Sequence, residues 1–180
     1  NTCQLDVVFH PRVARTLLAH FASLVNGSSI VRGSSFLKEK LNQKIFKNEI
    51  NIIDNPNIIR GLSSKPFDDE GCSMEKINLV ENGILKNWIL DTTTSKQLGM
   101  ASNSRASRGV SSPPTPSPTN MFIDNGSKSS KQLLNEVNNG FYVTDLIGQG
   151  VNLITGDYSR GASGFKIENG EISFPINEVT

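Results

Sequence analysis

Apolar and polar residues alternate from Cys3 to Phe9. Cys3, Leu5, Val7 and Phe9 share a period of two, which predicts a half-buried strand with Cys3 on its buried face. The period changes at Pro11. Val13, Leu17, Phe21 and Leu24 recur at three- and four-residue steps, with Leu18 and Val25 widening the stripe, so a helix is expected that Asn26-Gly27 ends as a left-handed stop. Leu37, Leu41 and Ile45 predict a second, surface-lying helix over Phe36–Phe46, capped by the serine before it. Glu49 to Asp54 is short and β-branched and reads as a strand, closed by Asp54-Asn55-Pro56. Met74–Val80 and Ile84–Leu90 flank Asn82-Gly83, where a type I′ turn finds the two residues that best accept positive φ. Asn169-Gly170 repeats the device between Phe165-Lys166-Ile167 and Glu171–Phe174. A third helix is expected over Ser129–Asn138, ended by Asn139-Gly140, with strands and turns from Phe141 onward. The two hairpins imply an antiparallel sheet. The expected fold class is α+β: mostly antiparallel β-sheet with hairpins, plus about three helices.

With 180 residues, 36% of them hydrophobic and 19% charged, the chain has the composition of one modest core, and a single domain over 1–180 is the expectation. No window approaches the length of an uninterrupted apolar membrane span, and the first residues lack the basic-then-apolar layout of a secretory signal. The expected location is the cytoplasm. A net charge of +1 gives no electrostatic footprint for nucleic acid. Cys3 and Cys72 form neither a C-x-x-C pair nor a disulfide framework, which points to reduced thiols.

Few residues suggest chemistry. Between Ala101 and Asn120 the composition collapses to Ser, Arg, Pro, Gly and Thr, so a long loop is expected in which no helix or central strand persists. Its basic run offers Asn103, Arg105 and Arg108 as candidates for holding the carboxylates or backbone of an extended peptide, beside the plain reading of a solvated loop. His20 has no second ligand one turn away and reads as a surface or partly packed residue; His10, before Pro11, reads as a capping or surface residue. Cys72 follows Asp68-Asp69-Glu70, a negative setting that blunts a thiol nucleophile. Gly27-Ser28-Ser29 and Gly33-Ser34-Ser35 are not nucleophile elbows. Gly148-Gln149-Gly150 lacks the third glycine and the helix of a dinucleotide site.

The pieces gain meaning in order. Val7-Val8-Phe9, Gly33-Ser34-Ser35-Phe36-Leu37, Asp68-Asp69-Glu70-Gly71, Asn82-Gly83-Ile84-Leu85, Leu98-Gly99, Ser117-Pro118-Thr119-Asn120, Gly150-Val151-Asn152 and Ser159-Arg160-Gly161-Ala162-Ser163-Gly164 together resemble the TldD/PmbA family, in its PmbA (TldE) branch. The resemblance implies the second, C-terminal domain of such a subunit, with further chain expected at both ends. It also implies a role in a heterodimeric zinc metalloprotease that degrades or processes small unfolded peptides. Catalytic TldD-like members carry H-E-x-x-x-H on the first helix. Aligned on Gly33-Ser34-Ser35, this sequence has Leu18, Ala19 and Ser23 at those positions. The resemblance therefore implies no catalytic and no metal-binding residue here, zinc on a TldD-like partner subunit, and extended peptides as substrates. Two alternatives stay open: an active metallopeptidase with a divergent metal site, and a regulatory binding module of the gyrase-modulator type.

Overall fold

A computed structural model describes residues 2–180. In chain order the elements are β1 (Asp6–Phe9), α1 (Pro11–Leu24), α2 (Gly27–Val31), β2 (Ile52–Asp54), β3 (Ile77–Glu81), β4 (Ile84–Leu85) and α3 (Thr92–Leu98). They continue as β5 (Ala106–Ser107), β6 (Thr115–Pro116), β7 (Met121–Ile123), α4 (Ser130–Asn135), β8 (Asn139–Ile147), β9 (Gly161–Glu168) and β10 (Glu171–Val179). The fold is α+β, with one more helix among the described residues than the sequence predicts. Two compact units are formed: residues up to Ala19 with Gly126–Asn152 and Gly156–Thr180, and His20–Asn125 with Leu153–Thr155.

The first unit is built on a four-stranded sheet of order β1-β8-β9-β10. Strands β8, β9 and β10 are antiparallel neighbours, and Asn169 (φ 50°) with Gly170 (φ 82°) closes the β9–β10 hairpin as predicted. β1 departs from the antiparallel expectation, because it joins β8 in parallel. No tight turn links these strands, so the long intervening chain leaves the direction of β1 unconstrained. Pairing begins at Asp6, which leaves Cys3 outside the ladder and exposed instead of in the core. Val13 of α1 packs with Phe141, Val143 and Ala162. Helix α4 opens on a capping box in which Ser129 accepts from the Gln132 amide and Gln132 accepts from the Ser129 amide. It stops at Asn135, and Asn139-Gly140 starts β8 instead of ending a helix.

In the second unit the sheet order is β4-β3-β2-β7. Ile52, Ile53 and Asp54 of β2 are all buried between β3 and β7. Asn82 (φ 49°) and Gly83 (φ 76°) form the predicted turn between β3 and β4. The helix expected over 36–46 is absent. Gly83 O accepts from the Ile45 and Phe46 amides (2.8 and 3.0 Å), Leu85 O accepts from Asn42 (2.7 Å), and Leu85 N donates to Gln43 O (3.0 Å). The hairpin thus takes the backbone groups a helix would pair internally, while Leu37 still reaches the core.

Asn26-Gly27 is likewise no left-handed stop. Asn26 (φ −68°) caps α2 by accepting from the Ser28 amide, and a Cβ on Gly27 would lie 2.9 Å from Ile89 O and 2.6 Å from Thr94 Oγ1. Glycine is required there by close packing. Helix α3 is absent from the sequence reading because Thr92-Thr93-Thr94 favours strands. Its ends carry the signal: Asp91 and Thr94 form a capping box, and Gly99 (φ 65°) is a left-handed C-cap.

Candidate functional site

Asp54, in the centre of the second unit's sheet, organises the 101–120 loop. Its Oδ2 accepts from Arg105 Nε at 2.5 Å and from Thr119 Oγ1 at 3.0 Å, and its Oδ1 accepts from the Thr119 amide at 2.7 Å. Both side chains are completely buried. The rest of the guanidinium donates to carbonyls: Nη1 to Asn103 and Ser104 (2.7 and 3.3 Å), Nη2 to Asp54 and Glu75 (3.4 and 2.5 Å). A buried charge is tolerated when it is paired and its remaining donors are filled, which is the case here.

A second buried carboxylate holds the neighbouring loop. Asp68 Oδ1 accepts from the Glu70 and Cys72 amides (3.0 and 2.9 Å), and Oδ2 accepts from the Ala106 amide at 3.1 Å. Glu70 Oε2 then accepts from the first amide of α3, Thr92 N, at 3.0 Å. The 101–120 segment is therefore not structureless. Its centre is the short β5–β6 hairpin, in register Ala106↔Pro116 and Ser107↔Thr115, two edge strands in a segment where the sequence predicts no helix or central strand. Pro116 is compatible with pairing because the hairpin has only two strands and leaves edges free.

The peptide-binding candidates separate in this geometry. Arg105 exposes no surface, and its donors are already engaged within the fold. Asn103 is also engaged: Nδ2 donates to Trp88 O at 2.7 Å and Oδ1 accepts from Leu90 N at 2.9 Å. In this fold these two residues hold the loop, a role with no local sequence signal because Asp54 lies 51 positions from Arg105. Arg108 is exposed on the hairpin tip. It lines an open recess of about 560 Å³ with Phe67, Asp69, Gly109 and Val110, among others. The Arg108 amide donates to Asp69 Oδ2 at 2.8 Å and Lys65 Nζ to Asp69 Oδ1 at 3.1 Å, and these bonds hold the Asp69 carboxyl below its ordinary value of 3.8. Beside that ionised carboxylate, Phe67 and Val110 are strongly exposed. The recess thus offers a cation, an anion and two apolar contacts within one short stretch of surface.

Helix α1 carries the positions where the resemblance would place zinc ligands. Leu18 is partly buried, and Ala19 and Ser23 are on the exposed side. An aliphatic, a methyl and a hydroxyl cannot supply the imidazole pair and general base that such a site needs. Among the described residues no group of three or more His, Cys, Asp or Glu side chains is placed to hold a metal ion. These side chains do not fit zinc. His20 is partly buried on the same helix. His10 caps α1, its Nδ1 accepting from the Arg12 amide at 3.2 Å, and stands edge-on to Tyr142. Cys72 is exposed.

Residues 2–180 match the family model described as the PmbA/TldA metallopeptidase C-terminal domain. The chain is 38% identical to the metalloprotease PmbA of Escherichia coli O157:H7 over 180 residues, covering all of this chain and 38% of that protein. It is 39% identical to the PmbA homolog of Haemophilus influenzae over 181 residues, with the same coverages. The metalloprotease TldD homolog of Buchnera aphidicola is more distant, at 29% over 83% of this chain and 31% of the relative. The chain thus spans well under half the length of the curated relatives it matches. Among solved structures, a protein from Thermotoga maritima described as a candidate modulator of DNA gyrase superposes with a TM-score of 0.85 at 29% identity, over 99% of this chain and 42% of that one. TldE from Thermococcus kodakarensis shares the fold, with a TM-score of 0.80 at 24% identity over 95% and 40% of the two chains. The chain belongs to the TldD/PmbA metallopeptidase family, in its PmbA branch, and matches the family's C-terminal domain.

Proposed function

We propose that this chain is part of the non-catalytic, PmbA-type half of a heterodimeric peptidase, in which a TldD-like partner carries the zinc and the activated water. The observation that carries the reading is the chemistry of α1: where the family resemblance, anchored on Gly33-Ser34-Ser35, would place the zinc motif, the chain has Leu18, Ala19 and Ser23. Small, unfolded peptides are the proposed substrates and the cytoplasm the proposed location. Among the described residues no helix is long and apolar enough to cross a membrane, and nucleic acid is not a proposed partner.

On this reading the subunit's contribution is to hold and orient an extended peptide. Arg108 is the side chain proposed to meet the substrate, through a carboxylate or a backbone carbonyl, with Phe67 and Val110 receiving an apolar side chain. Arg105 and Asn103 act behind it by fixing the loop. Such a surface engages main chain and generic side-chain features, which suits tolerance of many sequences. Metal analysis tests the assignment. The full-length parent purified alone is expected to hold far less than one zinc per chain, and its complex with a TldD-like subunit one zinc per pair. Stoichiometric zinc on the parent alone would reject the reading in favour of a divergent metal site.

A further inference from the structure

Five Asn-Gly steps occur in this chain, at 26–27, 82–83, 125–126, 139–140 and 169–170. Such a step is open to an intramolecular reaction in which the glycine's main-chain nitrogen attacks the asparagine side-chain carbonyl carbon. Glycine has no Cβ to obstruct that approach, and its backbone turns freely. The attack needs a main-chain N–H that is not hydrogen-bonded and a backbone able to rotate, so the fold decides which of the five steps is reactive.

Four of them are closed. Gly27 N donates to Ile89 O at 2.8 Å, Gly83 N to Ile50 O at 2.9 Å and Gly170 N to Val137 O at 3.0 Å. Gly140 lies inside β8, between Asp6 of β1 and Ile167 of β9. All four glycines are buried, and a Cβ on any of them would lie at most 2.8 Å from a neighbouring atom. Asn125-Gly126 differs on each count. Both residues are exposed, between β7 and α4, where the chain passes from the second unit to the first. A Cβ on Gly126 would meet nothing within 4 Å. Among the described residues, neither the Gly126 amide nor the Asn125 side chain has a hydrogen-bond partner; the Asn125 amide donates to Asp124 Oδ1 at 3.0 Å.

We propose that Asn125 is a site of spontaneous deamidation, with water as the co-reactant. The Gly126 nitrogen loses its proton to solvent base and bonds to Asn125 Cγ; the Cγ–Nδ2 bond breaks, and Nδ2 takes up a proton and leaves as ammonia. Water then adds to either carbonyl of the cyclic imide and opens it, leaving aspartate or isoaspartate at position 125. Either product places a new negative charge beside Asp124, and isoaspartate also routes the main chain through the former side-chain carbons. The proposal does not depend on the peptidase reading.

Site-resolved mass spectrometry of the full-length protein, incubated at mildly alkaline pH both folded and in denaturant, tests it. In the folded protein Asn125 is expected to react at least about tenfold faster than each of the other four asparagines, and within a few-fold of its own rate in denaturant. Equal rates at all five sites of the folded protein, or an Asn125 as protected as the other four, would overturn the proposal. Gly126→Ala provides a second test, because the added methyl meets no neighbour yet obstructs the attacking nitrogen. It is expected to slow deamidation at position 125 by about tenfold or more and to leave the other four sites unchanged. An unchanged rate at position 125 would equally overturn the assignment.

Discussion

Replacing Arg105 with Met is expected to lower the stability of the second unit by roughly 3–5 kcal/mol, the usual cost of stripping a buried charge of its partner. The substitution strands the Asp54 carboxylate in the sheet centre, where Thr119 alone would still donate to it. It also leaves the carbonyls of Asn103 and Glu75 without the donors they now have. Lysine is not a rescue, since an ammonium on a flexible stem cannot reproduce the planar fork that reaches four separate residues. Replacing both partners, Asp54→Leu with Arg105→Met, is expected to cost less than the two single substitutions added together, because no isolated charge remains. Denaturant unfolding of the four proteins measures this. An Arg105→Met protein within about 0.5 kcal/mol of the parent would show that the pair does not hold the loop.

Gly83→Ala is the second large effect. The residue sits at φ 76°, and a Cβ there would lie 2.3 Å from Phe46 O and 2.5 Å from Lys47 O. Backbone strain in the left-handed region and the displacement of a packed backbone together cost roughly 2–5 kcal/mol. The clash falls on the backbone just after the Ile45 and Phe46 amides that donate to Gly83 O. Loss of amide-exchange protection should therefore spread from the hairpin to segment 42–46. Protection that stays unchanged at Ile45 and Phe46, or a loss of stability below about 1 kcal/mol, would contradict this account of why that segment is not helical.

Those two positions also show how far the sequence could be read. Asn82-Gly83 and Asn169-Gly170 encode their turns locally, and both hairpins stand where they were expected. The stripe of α1 and the Ser129 cap of α4 are local signals of the same kind. Residues 36–46 have helical spacing, yet their backbone is claimed by a hairpin some forty positions away, and no periodicity can report that competitor. Arg105 has a similar history. A basic residue in a Ser- and Pro-rich stretch reads as solvated until Asp54 is found beneath it. Among the candidate site residues, Arg108 keeps the exposure that sequence reading gives it, while Asn103 and Arg105 turn inward through contacts with distant backbone and side chains.

Cleavage by reconstituted subunits tests the central claim most directly. The full-length parent of this chain and a TldD-like subunit are purified separately, and digestion of an unstructured peptide is followed for each alone and for the two mixed, with and without a chelator. Chelator-sensitive cleavage that requires the TldD-like subunit, is absent from the parent alone, and rises when the parent is added is the predicted result. Chelator-sensitive cleavage by the parent alone would contradict the assignment of this chain to the non-catalytic half.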